Sequence, residues 1–203
     1  MNFADYKQKI LTCTDAISHI EKIATCLICC NRLAPLYAEF TRREDWGDET
    51  LLSQCRTESL DYLRSKRRAL SISHSALEPF IPHTENFGSL LGSFAVNCGV
   101  THLHLIEQFT EENSAPLQGA LAMCYETVDF CVQSELDPHC TRSVPLPEID
   151  AHAMMRLEVD WQFKTLGRIQ GNSDLVGFVT TESHNPTLAQ FLVDTVTQGP
   201  AAG

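Results

Sequence analysis

Basic residues are scarce in this chain: 15 Lys and Arg stand against 26 Asp and Glu, a formal net charge of −11 over 203 residues. Binding to nucleic acid or an anionic membrane needs clustered cations that displace counterions, so neither partner is expected. The one basic cluster, Arg64-Ser65-Lys66-Arg67-Arg68, falls where a helix begun near Asp48 should end. Cations there complement the helix dipole. The opening residues Met1-Asn2-Phe3-Ala4-Asp5-Tyr6 lack a basic-then-apolar leader pattern, which predicts a cytoplasmic protein. Long alternating runs are missing too, so no strand is expected. The longest stretch without Asp, Glu, Lys or Arg, Gly88 to Ile106, still holds Asn97, Thr101, His102 and His104. A membrane span needs about 20 predominantly apolar residues, so this segment reads as a buried helix.

Catalytic signatures are also missing. There is no Gly-x-x-x-x-Gly-Lys phosphate loop, no Gly-x-Gly-x-x-Gly fingerprint, no Gly-x-Ser-x-Gly elbow and no Asp-rich calcium loop. Glu-x-x-His, which di-iron bundles need on each of two helices, does not occur. His102 and His104, two apart on a helix, point to nearly opposite sides and cannot share a metal. Cys26-x-x-Cys29-Cys30 is the sharpest redox or zinc candidate among the nine cysteines. It sits inside an apolar helix, with no preceding strand and no second pair to complete four ligands. Core packing is therefore the reading, with reduced cysteines serving as small buried hydrophobes. His139-Cys140, in the loop Ser134 to Pro147, reads as part of a connector. No metal and no cofactor is expected.

What is present is helical period nearly throughout, with 43% hydrophobic residues, enough for one core burying roughly 70% of the unfolded surface. The pattern predicts an all-α, single-domain bundle of seven to nine helices over 1–203, around a central apolar helix at about 88–109, with 197–203 as a frayed tail. That central helix carries Leu91, Phe94, Ala95, Cys98, His102, Leu105, Ile106 and Phe109 on one stripe and Val96, Val100 and Leu103 on another. Its glycines, Gly88, Gly92 and Gly99, should let neighbouring helices come close. Before it, helices are predicted over Phe3–Leu11, Asp15–Leu33, an extension past Pro35 to about Arg43, from Asp48 onward, and over Ser73–Phe80. After it come Ser114–Gln133, a helix from Glu148 or Ala153 to Ile169, Ser173–Glu182 and a weaker Thr187–Val196. At Trp46-Gly47-Asp48 two helices meet without a spacer: Gly47 can end one in the left-handed conformation and Asp48 can cap the next. Trp46 should be wedged between them.

Three signatures follow in order: Trp46-Gly47-Asp48; Leu77-x-x-Phe80-Ile81-Pro82 with Glu85-Asn86-Phe87; and Ala151-His152-Ala153-Met154 with Glu158 and Trp161-Gln162. Together they resemble the bacterial family called domain of unknown function 416, or YjaG-like, over about Ile17 to Ile169. The resemblance implies an all-helical cytoplasmic protein, a structural role for Trp46, Gly47, Asp48, Pro82, Phe87 and Trp161, and no established activity. Ala153 departs from the family, whose members more often carry Pro after His.

Glu148, Asp150, His152, Glu158 and Asp160 form the densest ionisable set. On one helix, His152, Arg156 and Asp160 would make a surface ladder. The leading functional reading is association, with itself or a protein partner, without catalysis. The rival is an enzyme or small-ligand binder whose pocket gathers Glu85, His102, His152 and Glu158 between helices.

Overall fold

A computed structural model describes residues 3–66, 70–139, 141, 143–183 and 192. The predicted Thr187–Val196 helix, the 197–203 tail, Arg67, Arg68 and Cys140 lie outside that set, apart from Leu192, which is helical and buried. Among the described residues every regular element is helical: α1 (Phe3–Asp15), α2 (His19–Glu44), α3 (Glu49–Ser65), α4 (His74–Leu77), α5 (Leu90–Gln108), α6 (Ala115–Leu136), α7 (Leu146–Ala151), α8 (Ala153–Ile169) and α9 (Leu175–Glu182), with a 3₁₀ turn at Glu78–Phe80. The all-α bundle expected from the periodicity is the architecture observed. No helix among the described residues is long and apolar enough to cross a membrane.

The centre of the bundle is shared. α5 packs as expected, but α2 lies against α3, α5, α6, α8 and α9 and is buried without interruption from Glu21 to Cys30. Its start is set four residues later than predicted, at His19 and not Asp15, because Glu21 reaches back to Ser18, accepting from the Ser18 amide at 2.6 Å and hydroxyl at 2.7 Å. Glu21 also accepts from the Gly171 amide, which ties the α8–α9 corner to the same end. Pro35 neither stops nor restarts α2. Leu33, Leu36, Tyr37 and Phe40 are buried on both sides of it, so packing carries the helix through the missing hydrogen bond.

Several caps differ from the periodic reading. Asp174, not Ser173, caps α9 through the Gly177 amide. Ser114 stands at the start of α6 but donates its hydroxyl to Asp15 and the Thr14 carbonyl, fastening α1 to α6. What comes close to the α5 glycines is the loop after α4 and not another helix. A methyl on Gly99 would stand 2.8 Å from Ile81, and Gly92 faces the Phe87 backbone.

At the α2–α3 corner, Asp45 (φ 51°) takes the left-handed position that ends α2, and Gly47 follows at φ +103°. Asp48 caps α3 by accepting from the Leu51 amide at 3.0 Å. Trp46 is half-buried, as expected, but its ring partners are Phe40 at 5.9 Å and Phe87 at 5.2 Å between centroids. Tyr37 closes the corner, donating to the Phe80 carbonyl at 2.6 Å and accepting from the Asp48 amide at 3.3 Å. The first two sequence signatures therefore meet on α2.

Seven of the eight described cysteines, Cys26, Cys29, Cys30, Cys55, Cys98, Cys124 and Cys131, are buried, and all eight are free thiols. Burial pushes Cys55 and Cys98 up to about 12, and Cys26 higher still, so none of these three is a thiolate at neutral pH. Iodoacetamide should therefore leave these seven thiols unmodified in the folded protein and alkylate them once urea unfolds it. Rapid labelling of Cys26 or Cys29 before unfolding would contradict their place in the core.

Candidate functional site

The third signature meets α2 through charge. α8 buries Met154, Met155, Glu158, Gln162, Thr165, Leu166 and Ile169, one helical stripe with a carboxylate and an amide in its middle. Opposite stands Arg32 of α2, whose guanidinium donates to both Glu158 oxygens, at 3.1 Å and 2.6 Å. The two side chains are 2% and 0% exposed. Trp161 covers the pair, with its ring centroid 3.4 Å from the Arg32 guanidinium carbon. Gln162 donates to Glu158 at 2.8 Å and to the Leu121 carbonyl at 3.0 Å. Tyr6 of α1 completes the chain by donating to Gln162 at 2.7 Å.

The electrostatics keep these groups in fixed states. Burial alone would lower the Arg32 pKa, but the adjoining Glu158 carboxylate outweighs it and holds the guanidinium charged. Burial first, then the Glu158 charge, pushes the Tyr6 hydroxyl far above a normal phenol, so it remains a donor. Within the Arg32–Glu158–Gln162–Tyr6 chain, the buried polar atom without a hydrogen-bond partner is Arg32 Nε. A pair so enclosed is occupied with itself. It offers no free base and no open face to a reactant.

The other sequence candidates have separate surroundings. Glu85 is exposed in the loop before α5. His102 is fully buried, where Nδ1 donates to the Cys98 carbonyl at 2.8 Å and Nε2 therefore accepts from Arg56 at 3.2 Å. Burial lowers its pKa to about 3, so it is neutral at physiological pH. His152 caps α8, accepting from the Met154 amide at 3.3 Å, and lies 3.6 Å from Glu135. The expected ladder is not formed: Arg156 donates to the Ala151 carbonyl and Asp160 pairs with Lys164. Among the described residues, no three His, Cys, Asp or Glu side chains are grouped to hold a metal. His104 and Glu107 do share a face, at 2.9 Å, with His74 3.7 Å from the same carboxylate.

Arg32 and Tyr6 escaped the sequence reading. No local signal marked either residue, because their partners Glu158 and Gln162 lie on α8, far away in the chain.

Two open concavities among the described residues lie beside α1. One runs between α1 and α6, with a volume of about 310 Å³. The other, about 290 Å³, lies between α1 and the α7–α8 face. Tyr6 and Tyr125 line both.

No family model matches the sequence, and no curated protein does. Among solved structures, the chain is similar to the crystal structure of a DUF416 family protein from Shewanella baltica, with a TM-score of 0.72 and 18% identity over 85% of this chain and 92% of that one. The fold is that of a DUF416 protein, in line with the resemblance carried by the three signatures.

Proposed function

We propose that this chain is an uncatalytic association module, a single domain in the cytoplasm that docks a segment of another protein in the groove between α1 and α6. The observation that carries this reading is the concavity of about 310 Å³ lined by Ile10, Leu11, Gly119, Ala122 and Tyr125. Leu11 stands at its edge, 42% exposed. Small residues on α6 allow close approach of an incoming side chain, and covering Leu11 removes apolar surface from water.

Charge favours a foreign segment carrying apolar and basic side chains. Burial, and then the neighbouring Asp129, raises the Glu126 carboxyl at the groove's rim, a penalty that an incoming cation would relieve. Two copies of a chain with net charge −11 repel each other, which disfavours self-association. Free thiols fit a reducing compartment. The enclosed Arg32–Glu158 pair supports a structural assignment over a catalytic one.

A photo-reactive residue at Ala122, irradiated in producing cells, tests the reading. It should capture one identified protein through an apolar, basic peptide, with no capture from a control position at exposed Thr50. The purified pair should then bind directly, and Leu11→Asp or Ala122→Glu should weaken binding about tenfold or more, as for an interface anchor. Equal capture from Thr50, or binding indifferent to both substitutions, overturns it.

A further inference from the structure

The concavity on the other flank of α1 is chemically different. It opens between Lys9 of α1, Tyr125 of α6, Asp150 of α7 and Phe163 of α8, with a volume of about 290 Å³. Tyr6 supplies its inner wall, stacked on Tyr125 at 4.8 Å and meeting Phe163 edge-on at 6.1 Å between centroids. Aromatic faces carry negative electrostatic potential and attract cations, most strongly where water is displaced. The carboxylate of Asp150 shares this lining, half-buried, and has no cationic side chain of the described residues within ion-pairing distance. Its polar neighbour is the Tyr125 hydroxyl, 3.5 Å away.

Of the other charged side chains around the cavity, Asp160 pairs with Lys164 at 2.6 Å, and Arg156 is held at the rim by the Ala151 carbonyl. Burial, followed by the charges of Asp150 and Asp129, raises the Tyr125 hydroxyl well above a normal phenol, so it stays a neutral donor beside Asp150.

One cation already samples the site. The ammonium of Lys9 lies 4.5 Å from the centroid of Phe163, although the Lys9 side chain is otherwise exposed. The protein's own side chain thus marks the ring face as a place where an ammonium rests. Its flexible four-carbon stem lets it withdraw into water when another cation arrives.

We propose that this cavity binds a small organic ammonium, whose charge replaces that of Lys9 against Phe163 and pairs with Asp150 while the Tyr6 and Tyr125 rings cover its apolar groups. The site is set apart from the protein-docking groove by Asp150 and Phe163, which lie on the opposite flank of α1, while Tyr6 and Tyr125 line both.

Choline and its uncharged carbon isostere, 3,3-dimethylbutan-1-ol, separate charge recognition from simple apolar burial. Isothermal titration of the full chain should show saturable choline binding and none by the isostere at the same concentrations. Phe163→Leu should weaken choline binding about tenfold, the scale of a desolvated cation–ring contact. Asp150→Asn should weaken it similarly. Lys9→Met should strengthen it, since the internal competitor is gone and the exposed position is not needed for folding. Circular dichroism melts establish that each variant is folded. Equal binding of the isostere, no saturable binding by folded wild-type protein, or weaker binding by Lys9→Met each overturns the proposal, the last because Lys9 would then be serving an anionic ligand group.

Discussion

Glu158→Gln should destabilise the protein by about 3–5 kcal/mol, the largest single effect expected, because it leaves the buried Arg32 charge without its counter-ion. The geometry sets the scale. Arg32 makes bonds of 3.1 Å and 2.6 Å to the carboxylate, and the side chains are 2% and 0% exposed, so water cannot replace the lost partner. Arg32→Met should cost a similar amount by stranding Glu158 with only Gln162 to donate to it. The double replacement Arg32→Met/Glu158→Leu should recover much of either loss, since removing both charges also removes their desolvation penalty. Urea unfolding of the singles and the double measures all three. The exposed Arg42–Glu39 pair, where the Arg side chain is 68% exposed, supplies the comparison, and breaking it should leave stability nearly unchanged. Should Glu158→Gln cost no more than that surface pair, the enclosed network would not be holding α8 on α2.

Gly47→Ala should cost about 3 kcal/mol, from two terms of roughly 1–3 kcal/mol each: a side chain forced to a left-handed φ, and overpacking. Gly47 has φ +103°, and a methyl there would stand 2.6 Å from the Tyr37 hydroxyl. That hydroxyl cannot move aside freely, because it donates to the Phe80 carbonyl at 2.6 Å and accepts from the Asp48 amide at 3.3 Å. Gly171 separates the two terms. It also has positive φ, +71°, but a methyl there meets nothing within 4 Å. Gly171→Ala should therefore show the backbone term alone. In a Gly47→Ala background, Tyr37→Phe should cost less than it does in the wild type. Equal losses at Gly47 and Gly171 would mean that Tyr37 does not brace the corner.

Helix content, the approximate ends of most helices, the Asp48 cap and the need for a special backbone at Gly47 were determined by the sequence itself. These depend on period, capping chemistry and allowed φ, which act over a few residues. Where long-range contacts compete with those rules, only the tertiary structure decided. Pro35 stays inside α2 because buried neighbours on both sides hold the helix. Asp45, and not Gly47, takes the position that ends α2. The centre passed in part from α5 to α2, because the number of neighbours a helix meets depends on topology and not on its own hydropathy.

The candidate site divides the same way. Glu158 was legible as an ionisable residue within a signature, but its partner lies 126 positions away on α2. Arg32 looks like any helical cation until α8 is laid across it. Glu85, His102 and His152 share a chemistry that suggests a pocket, yet each finds its partners in a different part of the bundle. Tyr6, Tyr125, Asp150 and Phe163 carry no common spacing at all. They come together because α1 crosses between α6 and α8, and side chains so far apart in sequence can be gathered only by the packing of whole helices.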